Sequence, residues 1–91
     1  MKIEELFVVI QERLQVSPEE SYTARLAASG EDEVIKKVGE EAIEVVLAAS
    51  RQGDQRLVSE LADLTYHILV LLALRGLAPA DILTELENRR R

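Results

Sequence analysis

Two carboxylate pairs share one spacing in this chain, Glu41 with Glu44 and Glu60 with Asp63. Residues three apart on an α-helix differ by about 60° around the axis and have Cβ atoms roughly 5–6 Å apart, so each pair aims two carboxylates at one point. Fifteen residues separate the pairs, and among them stands Arg51-Gln52-Gly53-Asp54, where Gly53 can take the left-handed conformation that ends a helix. The chain is expected to reverse there and lay a second helix antiparallel on the first, so that four carboxylates converge. Such a cluster is unstable by mutual repulsion unless protons or cations neutralise it. A hard dication with oxygen ligands, Mg²⁺ with Mn²⁺ as the alternative, is the expected solution.

The residues around the pairs carry sharper and blander readings. Glu41 and Glu44 fall on one flank of an apolar stripe made by Val34, Val38, Ala42, Val45 and Ala49 and widened by Ile35 and Val46. Glu40 lies further toward solvent, as an alternative ligand or as a base behind the pair. Lys36 and Lys37 precede the pair by one turn, and either form ion pairs with Glu40 and Glu41, worth about 0.2–0.5 kcal/mol each, or bind phosphate. Arg25, beside Tyr22 and Thr23, is a second phosphate candidate. His67 lies one turn beyond Asp63, where it orients a carboxylate, contacts a phosphate or serves as a hydrogen-bonded structural residue. The bland reading of the whole pattern is a helical oligomerisation module with solvent-facing glutamates.

The elements that must position these groups are all helical. Ile3, Leu6, Phe7, Ile10 and Leu14 repeat at helical spacing over 3–15. Ser17-Pro18-Glu19-Glu20 reads as a capping box that starts a short helix over 18–28, ended by Ser29-Gly30. Two long helices follow, 31–52 and 54–75, and Pro79 opens a last one before three terminal arginines, expected to be a solvated tail. No alternating run suggests a strand. From Ile68 to Leu74 every residue is apolar, which calls for burial all round. The expectation is one all-α domain over residues 1–91, an antiparallel helical bundle completed by homodimerisation along that run.

Composition limits the partners. With 47% hydrophobic residues but few aromatics, the core must come from Leu, Val, Ile and Ala. A net charge of −6 argues against nonspecific binding to nucleic acid or to an anionic membrane. The chain has no cysteine, which excludes disulfides and thiolate metal sites. No stretch approaches the roughly 18 apolar residues of a membrane span, and a cytoplasmic location is expected.

Four segments carry a resemblance. Ser21-Tyr22-Thr23-Ala24-Arg25-Leu26, Lys36-Lys37-Val38-Gly39-Glu40-Glu41-Ala42-Ile43-Glu44-Val45-Val46, Glu60 through Leu72 and Arg75-Gly76-Leu77 resemble the phosphoribosyl-ATP pyrophosphatase family over nearly the whole chain. The broader E-x-x-E and E-x-x-D pattern is similar to the MazG-related all-α nucleotide pyrophosphohydrolases. The resemblance implies Mg²⁺ on Glu41, Glu44, Glu60 and Asp63, and catalysis by Glu40, Glu41 and Glu44. It further implies a nucleotide bound with the help of Tyr22, Arg25, Lys36, Lys37 and His67, in a homodimer. The implied reaction is hydrolysis of phosphoribosyl-ATP to phosphoribosyl-AMP and pyrophosphate, the second step of histidine biosynthesis. A house-cleaning pyrophosphohydrolase acting on noncanonical nucleotides shares the same metal site and is the alternative.

Overall fold

The computed structural model describes residues 1–90, and these form five helices: α1 (Ile3–Leu14), α2 (Tyr22–Ala28), α3 (Glu31–Arg51), α4 (Asp54–Leu74) and α5 (Pro79–Asn88), with no strand among the described residues. The all-α expectation holds. Helices α3 and α4 form a hairpin around Gln52-Gly53. Glu31 pairs with Arg75 at its open end, and Glu41 meets His67 further in, so the two helices run antiparallel. Helix α1 packs on α4, α2 and α5, and α2 also leans on α3.

Local chemistry explains the boundaries. Gly53 has φ 85° and ψ 170°, a positive-φ conformation open to glycine, and it stands as the N-cap of α4 rather than as the left-handed end of α3. At the other end of α4 the Leu77 N–H donates to the Leu72 carbonyl (2.9 Å) and the Gly76 N–H to that of Ala73 (3.2 Å), with Gly76 at φ 68°. This paired closure satisfies two of the carbonyls that a helix end leaves without partners. Glu31, Asp32 and Glu33 open α3, where negative charge suits the helix dipole. Pro79 opens α5, and the Ala78 N–H donates to Asp81 Oδ2 at 2.8 Å.

The short helix differs from its expected course. Residues 18–20 form a turn closed by Glu20 N–H to the Ser17 carbonyl (3.0 Å), and α2 begins only at Tyr22. Its cap is Ser21, whose Oγ accepts from the Ala24 N–H at 3.2 Å. Both serines suit an N-cap, but the later one brings Tyr22 and Thr23 round to face α4, where their hydroxyls find partners.

The core is Phe7, Ile10, Leu26, Val34, Leu69 and Val70, and of these Ile10, Val34 and Val70 are completely shielded. Each such side chain contributes roughly 1.5–3 kcal/mol by leaving water. Val70 is therefore covered within its own chain, which corrects the expectation that its side of the 68–74 run needs a second copy. Within that run only Leu74 is exposed, at 36%, and more open apolar side chains lie at Ile43, Val46 and Val58 on the hairpin and at Leu83 and Leu86 on α5. Helix α4 also corrects the membrane-span count, since an 18-residue window of it reaches a mean hydropathy of 1.7, apolar and long enough to cross a bilayer. Its packing on α3 and α1 and its buried Glu60 and His67 make it the central helix of this bundle.

Candidate active site

The inner face of α3 is turned further toward the acidic pair than the apolar stripe suggests. Ala42 and Ala49 are exposed, whereas Lys37, Glu41, Glu44 and Val45 are half-buried and Ala48 is buried. The carboxylates thus lie within the interface with α4 and not merely beside it. Opposite them Glu60 is only 5% exposed, and Asp63 stands one turn further on at the more open edge.

His67 organises this interface. Its Nδ1 lies 2.9 Å from the Asp63 carbonyl, an acceptor only, so Nδ1 carries a proton. The Tyr22 hydroxyl meets Nε2 at 2.8 Å, and Glu41 Oε1 lies 2.6 Å from Nδ1. With the Nδ1 proton directed at the Asp63 carbonyl, Glu41 Oε1 is close enough for strong attraction yet off the line of the N–H, and it is buried without an aligned hydrogen bond. Burial raises the Glu41 carboxyl above its usual 4.5; the nearby His67 works against this, Asp63 adds to it and Lys37 opposes it. Burial likewise pushes the Tyr22 hydroxyl above 10.0, with Lys37 opposing and Glu41 adding. Lys37 therefore acts on both groups.

The donor set suits a hard dication. Four carboxylates on facing helices offer oxygen donors, and Glu41 Oε1 is buried without a hydrogen-bond partner among the described residues. As they lie, no three His, Cys, Asp or Glu side chains among the described residues are gathered closely enough to hold an ion. The reason is visible in their partners: Glu60 Oε1 accepts from Arg56 at 2.9 Å and Glu41 is turned to His67. Glu44 has no side-chain partner among the described residues and is free to turn.

The remaining candidates divide. Lys36 and Glu40 are exposed, and neither lysine forms an ion pair with Glu40 or Glu41 among the described residues. Arg25 donates to the Pro18 carbonyl at 3.1 Å and buttresses the turn before α2. Arg89 and Arg90 pair with Glu85 and Glu87 on the surface, and Arg91 lies outside the described residues.

Beside the carboxylates, and bordered by Asp63, opens a cavity of about 710 Å³ walled by Arg13, Ser21, Tyr22, Thr23, Tyr66 and His67. The Tyr66 hydroxyl lies 2.5 Å from Thr23 Oγ1 and accepts from Arg13 at 3.1 Å. His67 stands edge-on to both tyrosines, at 5.8 Å from Tyr22 and 5.7 Å from Tyr66. Arg13 is the residue that the sequence reading missed. Its one signal was angular: three residues after Ile10 and next to Leu14, it projects beside the inner stripe of α1.

Known proteins were compared with the chain. The Phosphoribosyl-ATP pyrophosphohydrolase family matches residues 3–90. A protein named Phosphoribosyl-ATP pyrophosphatase from Pelotomaculum thermopropionicum is 56% identical over 97% of this chain and 90% of its own length. One of the same name from Pyrobaculum calidifontis is 53% identical over 96% of this chain and 93% of its own, and one from Saccharolobus solfataricus is 45% identical over 98% and 95%.

Proposed function

This chain belongs to the phosphoribosyl-ATP pyrophosphohydrolase family, and from that premise we propose that it hydrolyses phosphoribosyl-ATP to phosphoribosyl-AMP and pyrophosphate. It is a hydrolase of a phosphoanhydride in histidine biosynthesis. The observation that carries the reading is a family match over residues 3–90 that includes Glu41, Glu44, Glu60 and Asp63, the four carboxylates of the α3–α4 interface.

Those four residues are the proposed holders of Mg²⁺, with Mn²⁺ as a substitute. The bound ion would reverse the local sign of charge for a polyanionic substrate, polarise the phosphoryl group and acidify a water. For the side chains this requires Glu60 to exchange Arg56, and Glu41 its place beside His67, for the ion. His67 fixes the α4 wall through the Asp63 carbonyl and receives the Tyr22 hydroxyl, so the loosened Glu41 moves against a rigid neighbour. Lys37, half-buried at the same interface, brings positive charge to the leaving pyrophosphate. Glu40, exposed one residue before Glu41, is placed to take a proton from water at the outer edge. Arg25 and Lys36, both exposed, are further proposed contacts for the substrate's phosphates.

The proposal includes a cytoplasmic homodimer acting on a small nucleotide, with no part for nucleic acid or membrane. In support, Ile43 (63% exposed), Val46 (65%) and Val58 (65%) on the hairpin are left open to solvent and are available to a second copy. The test is pyrophosphate release from phosphoribosyl-ATP against a panel of ordinary and noncanonical nucleoside triphosphates, with Mg²⁺ present or chelated. Preference for a noncanonical triphosphate would replace the substrate assignment, and no turnover of any would overturn the enzyme reading.

A further inference from the structure

The wall of the large cavity has a chemistry that the carboxylate cluster does not use. Arg13 is its only lysine or arginine among the described residues. Of the five N–H donors of a guanidinium, one goes to the Tyr66 hydroxyl; among the described residues the others have no protein partner, and no carboxylate pairs with the group. A guanidinium with N–H donors still unengaged at the edge of a cavity suits a phosphate better than a carboxamide or a base, because it carries full charge and binds two oxygens at once. Glu20 stands on the same wall, so the anion must be strong enough to compete with it.

Position then decides which phosphate. The scissile anhydride belongs at the carboxylates, where Lys37 attends the leaving pyrophosphate. Asp63, from the carboxylates, and Arg13, from α1, both line the cavity, with Tyr22, His67 and Tyr66 completing its wall. Its size, about 710 Å³, lies within the range that takes a drug-sized ligand. Resting on the function proposed above, we propose that Arg13 binds the 5′-phosphate of the substrate's second ribose, the group that distinguishes phosphoribosyl-ATP from ATP. The tyrosines and His67 form the wall along which the adenine and ribose lie. Arg13 is thereby the residue that sets specificity at the end of the substrate remote from the bond that breaks.

The test compares wild type, Arg13→Gln and Arg13→Lys in pyrophosphate release from phosphoribosyl-ATP and in inhibition by three probes: phosphoribosyl-AMP, AMP and pyrophosphate. Arg13→Gln is expected to raise KM and the inhibition constant of phosphoribosyl-AMP about 10- to 100-fold, the usual worth of a charged hydrogen bond. Inhibition by AMP and by pyrophosphate should not change, and Arg13→Lys should recover part of the loss. An unchanged constant for phosphoribosyl-AMP, or an equal loss for pyrophosphate, overturns the proposal; the second outcome would move Arg13 to the leaving group. A fall in kcat with every inhibition constant unchanged also overturns it, leaving Arg13 a prop for Tyr66. Should Arg13→Gln not fold, Arg13→Lys decides alone, with a selective loss of about 3- to 10-fold for phosphoribosyl-AMP expected. If the wild type turns over phosphoribosyl-ATP and these variants match it, this proposal fails by itself. If the wild type does not, the function fails and this proposal with it.

Discussion

His67 Nδ1 lies 2.6 Å from Glu41 Oε1, across the interface between α4 and α3. The contact joins the chain's single histidine to a buried carboxylate oxygen that no well-aligned donor serves. Of the roles its sequence position allowed, orienting a carboxylate is the one this contact would serve, and under the proposed function the ring would be a temporary partner that an incoming cation replaces.

Replacing His67 by Asn should therefore lower kcat more than it raises KM, because the carboxylate loses its guide while the phosphate-binding groups stay. Tyr22→Phe, which removes only the hydroxyl on Nε2, should follow in the same direction with a smaller loss, about 3- to 10-fold. Steady-state kinetics on both variants check this. A His67→Asn enzyme with wild-type kcat would leave the contact without a catalytic consequence.

Divalent ions should raise the melting temperature of the wild type, since an ion that binds only the folded chain stabilises it by mass action. Glu44→Gln should remove most of that increment, because Glu44, like Asp63, is a proposed ligand whose carboxylate has no competing side-chain partner among the described residues to release. Melting curves with Mg²⁺, Mn²⁺ and chelator decide, and an undiminished shift in Glu44→Gln would take Glu44 out of the ligand set.

The raised Glu41 carboxyl gives a pH dependence of defined sign. A carboxyl that holds its proton more tightly in the folded state contributes stability while protonated, and loses it as pH rises from 4.5 through the raised folded value. The melting temperature of the metal-free protein should fall across that window, and Glu41→Gln should flatten the descent. A Glu41→Gln profile as steep as that of the wild type would show that other groups set the slope.

Much of this arrangement was legible in the sequence, for a physical reason: spacing of three places two carboxylates on one helix face whatever surrounds them. The hairpin was legible because Gly53 stands between two long periodic segments. What was not legible was rotation. The apolar stripe over Val34, Val38, Ala42 and Ala49 is broad enough to bury by either edge, and the structure buries the edge that includes Lys37, Glu41 and Ala48. The start of α2 was missed because Ser17 and Ser21 are equally good caps, and only the hydroxyl partners of Tyr22 and Thr23 favour the later one. Arg13 was missed because it meets Tyr66 across 53 residues, a distance over which no local pattern speaks.

The two apolar surfaces of the hairpin should respond differently to charge. Val70 is completely buried in its own chain, so Val70→Lys should unfold the protein and even Val70→Ala should cost about 2 kcal/mol or more. Val46 is 65% exposed, so Val46→Glu should leave helix content intact and turn a sedimenting dimer into a monomer. A wild type that stays monomeric and fully active at micromolar concentration would refute the dimer.

Gly76 should tolerate no side chain cheaply. At φ 68° its replacement by Ala should cost about 1 kcal/mol, even though no atom lies within 4 Å of the position a Cβ would take, because the strain is in the backbone. Chemical denaturation measures it, and a neutral result would mean that the end of α4 relaxes.

The hairpin also separates the site in time. Contacts between α3 and α4 near Gly53 join residues close together in the chain, and contacts of that kind form early in helical proteins, which fold in about microseconds to milliseconds. The Arg13 to Tyr66 bond closes a far longer loop and bears a larger entropic cost before it returns any enthalpy. A nascent chain would hence bring α3 and α4 together first and acquire the Arg13 side of the cavity only when α1 docks.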